Sequence, residues 1–201
     1  MHEHDNPSHE GGEQPPTPEQ EQRPAPRVYV ASLADYNAGR LYGVWISLDC
    51  DVGELHERVQ SMLGRSAEPI AEEWAIHDYE GFGPLRIDEY EPLERVAALA
   101  EGIREHGPAF AHWAALLGTV DEGSLAEFED VYLGYWGSLE AFAENLFHDY
   151  GYQQILDQVI PEHLQPYVRF DAASFANDLV LGGDVSTSDG DGGVYVFGGA
   201  G

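Results

Sequence analysis

Residues 27–48 read RVYVASLADYNAGRLYGVWISL, and this segment decides how the folded part of the chain begins. In RVYVASL (27–33), two Val alternate with Tyr and Ala, the two-residue period of a strand. DYNAG (35–39) has the composition of a turn, and LYGVWISL (41–48) has that of a second strand. The segment therefore predicts an antiparallel hairpin.

The hairpin is followed by a helix and a further strand. Asp51 is a suitable N-cap, an apolar stripe follows it at helical spacing, and Gly64 ends the pattern. WAIHDY (74–79) alternates again and predicts a third strand. We expect residues 27–91 to form an N-terminal α+β unit in which one helix packs on a short sheet.

After Pro92 the apolar period becomes helical, and HGP (106–108) separates two predicted helices. Ser124 and Glu127 have the spacing of a capping box, which predicts that LAEFEDVYLGYW (125–136) is helical. These patterns predict a central helical unit over 92–135.

The remaining residues, 136–201, predict a C-terminal α+β unit. LEAFAENLFHDYG (139–151) is amphipathic, QQILDQVI (153–160) follows it and is stopped by Pro161, and Asp171 can cap a further helix. VSTSDGDGGVYVF (185–197) places turn residues between two short strands and predicts a hairpin. The fold class is therefore α+β, built from local, sequential units.

The first 26 residues differ in composition from everything that follows. They are rich in Pro, Glu, Gln and His, and too few of them are apolar to offset the entropy of ordering. We expect residues 1–26 to be a disordered acidic tail.

Charge is the dominant feature of the composition. There are 37 acidic residues, nine Arg and no Lys, for a formal net charge of −28, of which −23 remains from residue 27 onward. Phosphate binding needs a basic surface, so we expect no direct nucleic-acid partner. A salt-adapted surface, a cation-binding protein or a strongly basic partner remain as interpretations.

Cellular location is predicted from weaker signals. Cys50 is the single cysteine, which fits a reducing compartment. No apolar run approaches the roughly 20 residues of a membrane helix, and the N-terminus lacks the pattern of a signal peptide. We expect a cytoplasmic protein that does not contact a membrane.

The most suggestive catalytic stretch is AEEWAIHDYE (71–80), which places a His beside carboxylates and a phenol. Adjacent residues of a strand point to opposite faces, so Asp78 is poorly placed to orient His77. The tripeptide HDY recurs at 148–150 within a predicted helix, and one geometry cannot serve both copies. We therefore expect this stretch to be structural, with Trp74 and Ile76 directed inward.

Other catalytic and metal-binding patterns are missing from the sequence. There is no HExxH, CxxC, P-loop or GxSxG, and Cys50 lies among acids that should raise its pKa. DVSTSDGDGG (184–193) departs from a calcium loop because its sixth position is Asp189 and its twelfth is Tyr195. We expect no catalytic residue, cofactor or metal, and no enzymatic activity.

The acidic residues themselves are the best candidates for a binding site. On consecutive amphipathic helices they recur at spacings that place them along the solvent face, where their charge could imitate the phosphates of a duplex. We predict a partner-binding acidic surface made of Asp88, Glu89, Glu91, Glu94, Glu101, Glu105, Asp121, Glu122, Glu127, Glu129, Asp130, Glu140, Glu144 and Asp149.

Six collinear blocks resemble the ArdA family of antirestriction proteins, and the resemblance extends over residues 27–197. The fourth block resembles the stretch known in that family as the antirestriction motif. The blocks are RVYVASLADYNAGRLYGVWISL, AEEWAIHDYEGFG, DEYEPLERVAALAE, VYLGYWGSLEAFAENLFHDYG, LQPYVRFDAASFANDLVLGGDV and GVYVF.

The resemblance implies a DNA mimic carried by mobile genetic elements. It implies an elongated protomer of three small units (an α/β sheet unit, a helical unit and an α+β unit) and a homodimer joined through the C-terminal units. It implies that the acidic surface occupies the DNA groove of type I restriction–modification enzymes, on their methyltransferase core. The alternatives are a salt-adapted acidic globular enzyme and a general acidic binder of basic DNA-binding proteins.

Overall fold

The computed structural model describes residues 25–118 and 124–199, apart from the side chains of Ser124 and Leu125. Nearly all of the predicted tail, Asp121, Glu122 and the capping side chain expected at Ser124 thus lie outside the described residues. The described chain is α+β, as predicted, with two three-stranded antiparallel sheets and helices packed on both.

The first sheet contains the predicted hairpin. Strands β1 (Arg27–Ser32), β2 (Gly43–Ser47) and β3 (Trp74–Glu80) lie in the order β2-β1-β3. The expected turn between β1 and β2 is instead a short helix, α1 (Leu33–Asn37). The helix forms because the Ser32 hydroxyl accepts a hydrogen bond from the backbone N–H of Asp35.

Helix α2 (Val52–Leu63) covers the inner face of this sheet. As predicted, the Asp51 carboxylate caps the helix, accepting the backbone N–H of Glu54 at 2.9 Å. Its buried side chains are Leu55, Val59, Met62 and Leu63, which pack against Val28, Val30 and Ile46 in the main core.

Two helices extend this main core. Helices α3 (Leu93–His106) and α4 (Pro108–Leu117) are separated at Gly107, whose φ of 69° lies in the region open to glycine. They approach closely at Gly102, where an added Cβ would lie 2.3 Å from the ring of Phe110. A glycine is unfavourable within a helix, and here it provides the space for that ring.

The prediction that a helix continues to Trp136 is wrong beyond Val131. Helix α5 (Ser124–Val131) ends there, and β4 (Tyr132–Trp136) follows as a strand paired with β6 (Gly193–Gly198). Its aromatic residues favour a strand, and its partner is more than 50 residues away in the sequence, so local periodicity could not show it. The register shifts between Tyr132 and Gly134, where φ of Gly134 is 113°.

The C-terminal part completes a second sheet. The predicted hairpin is present as β5 (Val185–Gly190) and β6, and the strand order is β4-β6-β5. The other helices are α6 (Leu139–Asp149), α7 (Tyr152–Val159) and α8 (Ala172–Gly182), with a 3₁₀ turn at Gln165–Tyr167.

The two faces of β6 belong to two different cores. Tyr195 and Phe197 join the main core, which also contains the first sheet, α3 and α4. Val194 and Val196 face the other way and pack with Phe142 in a smaller second core. The last strand therefore packs in the same core as the first strands of the chain. The unit boundaries and the elongated shape stay predictions.

Candidate partner-binding surface

Eleven of the predicted acidic residues are exposed in the described structure. They lie just before α3, on α3, on α5 and on α6. These exposed acids are Asp88, Glu89, Glu94, Glu101, Glu105, Glu127, Glu129, Asp130, Glu140, Glu144 and Asp149.

Glu91 is an exception, and the expectation that it lies on the solvent face is wrong. Only 6% of the residue is exposed, and its carboxylate accepts a hydrogen bond from Arg95 Nη1 at 3.0 Å. Arg95 Nη2 also donates to the carbonyl of Gly118 at 2.8 Å. Glu91 is therefore a buried partner of Arg95, and that arginine joins the start of α3 to the end of α4.

Helix α3 carries one row of exposed carboxylates. Glu94, Glu101 and Glu105 are seven and four residues apart, which places them on one face. Glu101 and Glu105 have the i, i+4 spacing at which like charges repel. Arg95 and Arg104 lie on the same helix and reduce its net charge.

The negative charge is least compensated farther along the chain. Between residues 105 and 168 there are eleven acidic residues and no Lys or Arg. Within the described residues 124–199, no carboxylate forms an ion pair with a basic side chain. On α6, Glu140 and Glu144 again have the repulsive i, i+4 spacing.

In the N-terminal half, by contrast, arginines form ion pairs with several of the acidic side chains and reduce the excess of negative charge. These pairs are Arg27 with Glu80, Arg40 with Asp35 and Glu68, Arg58 with Asp49 and Glu54, and Arg95 with Glu91. The carboxylates of α5 and α6 are therefore all without an arginine partner, as are those of the described residues that follow α6.

Helices α5 and α6 cover opposite faces of the second sheet. Phe128 of α5 packs in the main core, with its ring centroid 6.4 Å from that of Phe197. Phe142 of α6 packs in the second core, 5.6 Å from the ring of Trp136. Strand β4 connects the two helices and forms one edge of the sheet. A partner that contacts both sets of acids must therefore reach around the β4 edge.

At the stretch AEEWAIHDYE, the described geometry does not form a catalytic dyad. The carboxylate nearest to His77 is that of Glu89, 3.8 Å from Nε2. Asp78 Oδ1 instead accepts the backbone N–H of Tyr79, and the His77 ring packs edge-on against Tyr36. As predicted, Ile76 is in the main core and Trp74 packs against it.

Cys50 has an unreactive environment. Burial raises the pKa of its thiol, and the neighbouring carboxylates raise it further while Arg58 opposes them. The predicted direction is confirmed, although burial contributes more than the acids. A thiol with a raised pKa holds little of the nucleophilic thiolate at neutral pH.

Other shifted groups stabilise the fold. Hydrogen bonds from Ser66 and Ser32, opposed by burial and helped by Arg40, lower the pKa of Asp35, which is the buried residue of α1. Burial raises the pKa of Tyr132 to about 12, so its phenol is neutral.

A polar contact missed by the sequence analysis joins α4 to the second sheet. His112 Nδ1 lies 2.8 Å from Ser188 Oγ of β5, and the His112 ring lies 4.4 Å from that of Tyr195. Burial lowers the pKa of His112, although Asp191 and Asp189 oppose the shift. Seventy-six positions separate His112 and Ser188, and no spacing pattern links them.

Helix α7 exposes an apolar face that the sequence analysis also missed. None of its residues is buried, and Tyr152, Ile155 and Val159 are 40%, 53% and 69% exposed. Their i, i+3, i+7 spacing places them on one face of the helix, but the prediction for 153–160 gave that face no role. Tyr167 and Val168 extend the exposed apolar area beyond the helix.

Neither a metal cluster nor a membrane-spanning helix occurs among the described residues. There, no group of three or more His, Cys, Asp and Glu side chains is arranged to hold a metal ion. The segment 184–193 forms β5 and its turn instead of a calcium loop. None of the helices between residues 25 and 199 that the structure describes is long and apolar enough to cross a membrane.

Together these features define a strongly acidic α+β protein that displays unpaired carboxylates on its helices. Residues 28–193 match the family model described as Antirestriction protein (ArdA). Because the match covers most of the chain, this protein belongs to the ArdA family, and its function is antirestriction. A comparison with curated proteins found no match.

Proposed function

We propose that this protein acts as a DNA mimic, binding the DNA groove of type I restriction–modification enzymes on their methyltransferase core. It competes with incoming DNA for that groove and makes or breaks no bond. The alternative of a salt-adapted enzyme requires a catalytic arrangement, and the environments of His77 and Cys50 provide no support for one.

The uncompensated charge of α5 and α6 is the observation that carries this proposal. A groove that binds DNA presents Lys and Arg to phosphates, and exposed carboxylates can occupy the same positions. Glu140 and Glu144 repel each other, although Glu140 also lies in the first turn of α6, where the helix dipole favours a carboxylate. Both side chains are exposed and have no basic partner among the described residues, so their charges are available to a basic groove.

The exposed apolar face of α7 supports a homodimer joined through C-terminal units. Exposed apolar residues cluster from Tyr150 to Val168 and are not interrupted by Lys or Arg. A group of exposed apolar residues is typical of an interaction site. A dimer through α7 would bury these side chains.

A competition experiment tests the proposed function. A labelled duplex is bound to a purified type I methyltransferase, this protein is added, and displacement is followed by gel shift at several salt concentrations. We expect displacement at near-stoichiometric protein and a steep fall in affinity with added salt, since screening weakens charged contacts. No displacement at stoichiometric excess in low salt would refute the proposal.

A further inference from the structure

Two aromatic rings lie side by side on the outer face of the first sheet. Tyr29 of β1 and Trp45 of β2 are directly opposite each other in the register, with ring centroids 5.6 Å apart. Trp45 is 39% exposed, although the outer face of a two-layer unit is normally polar. We name this pair the aromatic platform.

The neighbouring backbone is shaped to hold the platform. Gly43 lies two residues before Trp45 on β2. A Cβ there would lie 2.4 Å from the carbonyl oxygen of Val30 and 2.9 Å from Cζ of Tyr29, so both the close approach of the β1 backbone and the Tyr29 ring require glycine. The missing side chain leaves room for the Tyr29 ring beside Trp45.

A cation already occupies part of the platform. The guanidinium carbon of Arg27 lies 4.7 Å from the centroid of the Trp45 ring. The same guanidinium is held by Glu80 of β3, with Nη2 and Oε2 2.6 Å apart. This arrangement, in which an aromatic face and a carboxylate share one cation, has the chemistry of an arginine-binding site.

The rest of the sheet face is acidic and suits a second cation. Asp78 lies directly opposite Tyr29 on β3, in the register position next to Glu80 and Arg27. Its side chain is exposed and forms no ion pair with a described basic residue. A guanidinium over Tyr29 would lie one strand away from this carboxylate, whereas Trp45 is two strands away.

We propose that the aromatic platform is a contact surface for an arginine side chain of the basic partner, and that Arg27 competes with that side chain for Trp45. The inference rests on the proposed function, because it takes the partner to be the methyltransferase groove. It adds a stacking site on the N-terminal sheet to the carboxylates on the helices. Arginines that stack on bases or contact phosphates in DNA complexes have the chemistry that this site would receive.

Trp45→Ala tests the platform in the competition assay described above. We expect its affinity for the methyltransferase to fall about threefold to thirtyfold, the range for a cation on an aromatic face. Trp45→Leu keeps apolar bulk on the strand but lacks the ring, and it should show a similar loss. Tyr36→Ala is the matched control, since it removes an exposed ring from the same unit at α1. It should leave affinity within about twofold of wild type, a change well below that expected at a cation–π contact.

The role of Arg27 gives an effect of opposite sign. Arg27→Gln removes the competing cation and should strengthen binding more than Arg65→Gln, which makes the same charge change at an exposed arginine on the loop after α2. In a Trp45→Ala background, Arg27→Gln should increase affinity no more than Arg65→Gln does, because the ring for which the two cations compete is absent. A purely structural role for the platform would produce neither the gain nor its dependence on Trp45.

The outcomes separate this inference from the proposed function. If the wild-type protein does not displace the duplex, both are overturned. If it displaces the duplex and the folded Trp45→Ala and Trp45→Leu variants do so equally well, only the platform is overturned. Circular dichroism and thermal melting confirm folding before each variant is compared.

Discussion

Neutralising two carboxylates of α6 should make the protein a poorer inhibitor while leaving it folded. Glu140 and Glu144 are exposed, belong to adjacent turns of one helix face and have no basic partner among the described residues. Glu140→Gln with Glu144→Gln removes both charges while keeping nearly the same side-chain size. Thermal melting of the variant then separates a lost contact with the enzyme from a general loss of structure.

The size of each effect follows from the geometry. A carboxylate about 5 Å from a partner cation in water contributes about 0.8 kcal/mol, and physiological salt reduces this to about 0.4 kcal/mol. Two such contacts give about 1 kcal/mol, so affinity should fall about fivefold. Relief of the i, i+4 repulsion stabilises the fold by about 0.2–0.5 kcal/mol, and loss of the Glu140 charge from the first turn of α6 costs about 0.3–1 kcal/mol. The two nearly offset each other, so the melting temperature should change by no more than about 3 °C.

The matched control is Glu72→Gln with Glu73→Gln. These exposed acids lie between α2 and β3, outside the predicted surface, so the control makes the same change in net charge. The assay is the gel-shift competition, with thermal melting of each variant. If both double variants lose affinity equally, total charge matters and the position on α6 does not. If the α6 variant keeps wild-type affinity, α6 does not contact the enzyme, and the reasoning is refuted.

Three further predictions concern stability and assembly. Phe110→Ala should destabilise the protein by about 3–5 kcal/mol, seen in urea unfolding, because its ring is fully buried against Gly102; a loss below about 1 kcal/mol would contradict the packing described. Because burial lowers the pKa of His112, the unfolded state binds the proton of this side chain more tightly, and the free energy of unfolding should fall as the pH drops below 6.5. In urea unfolding at several pH values, His112→Gln should lose less stability over that range than the wild type. Equal pH dependence of the two proteins would contradict this role of His112. Ile155→Glu with Val159→Glu should give monomers in sedimentation velocity if α7 forms the dimer interface, whereas an intact dimer would place the interface elsewhere.

Local patterns predicted those elements whose signals lie within a few residues. The alternation at 27–33, the cap at Asp51 and the turn residues at 189–193 act on backbone nearby, and each produced the expected strand, helix or hairpin. The prediction at 132–136 was wrong for the complementary reason. That segment is a strand because β6 supplies its hydrogen-bond partners, and a window of the sequence does not contain them.

The candidate site shows the same division. Solvent exposure of most predicted acids followed from helical periodicity, since the apolar residues fix which face is buried. Glu91 could not be recognised as buried because its burial depends on Arg95 reaching the carbonyl of Gly118 at the end of another helix. The ring pair of Tyr29 and Trp45 depends likewise on the strand register.

The sequence by itself determined the α+β class, the excess of negative charge and the family, because composition and collinear blocks need no coordinates. The tertiary structure decided which carboxylates lie free and which are paired. It also placed α5 and α6 on opposite faces of one sheet. Charge is a sum over residues, whereas a surface depends on distances between residues that are far apart in the chain, and those distances are set only when β6 packs between the two cores.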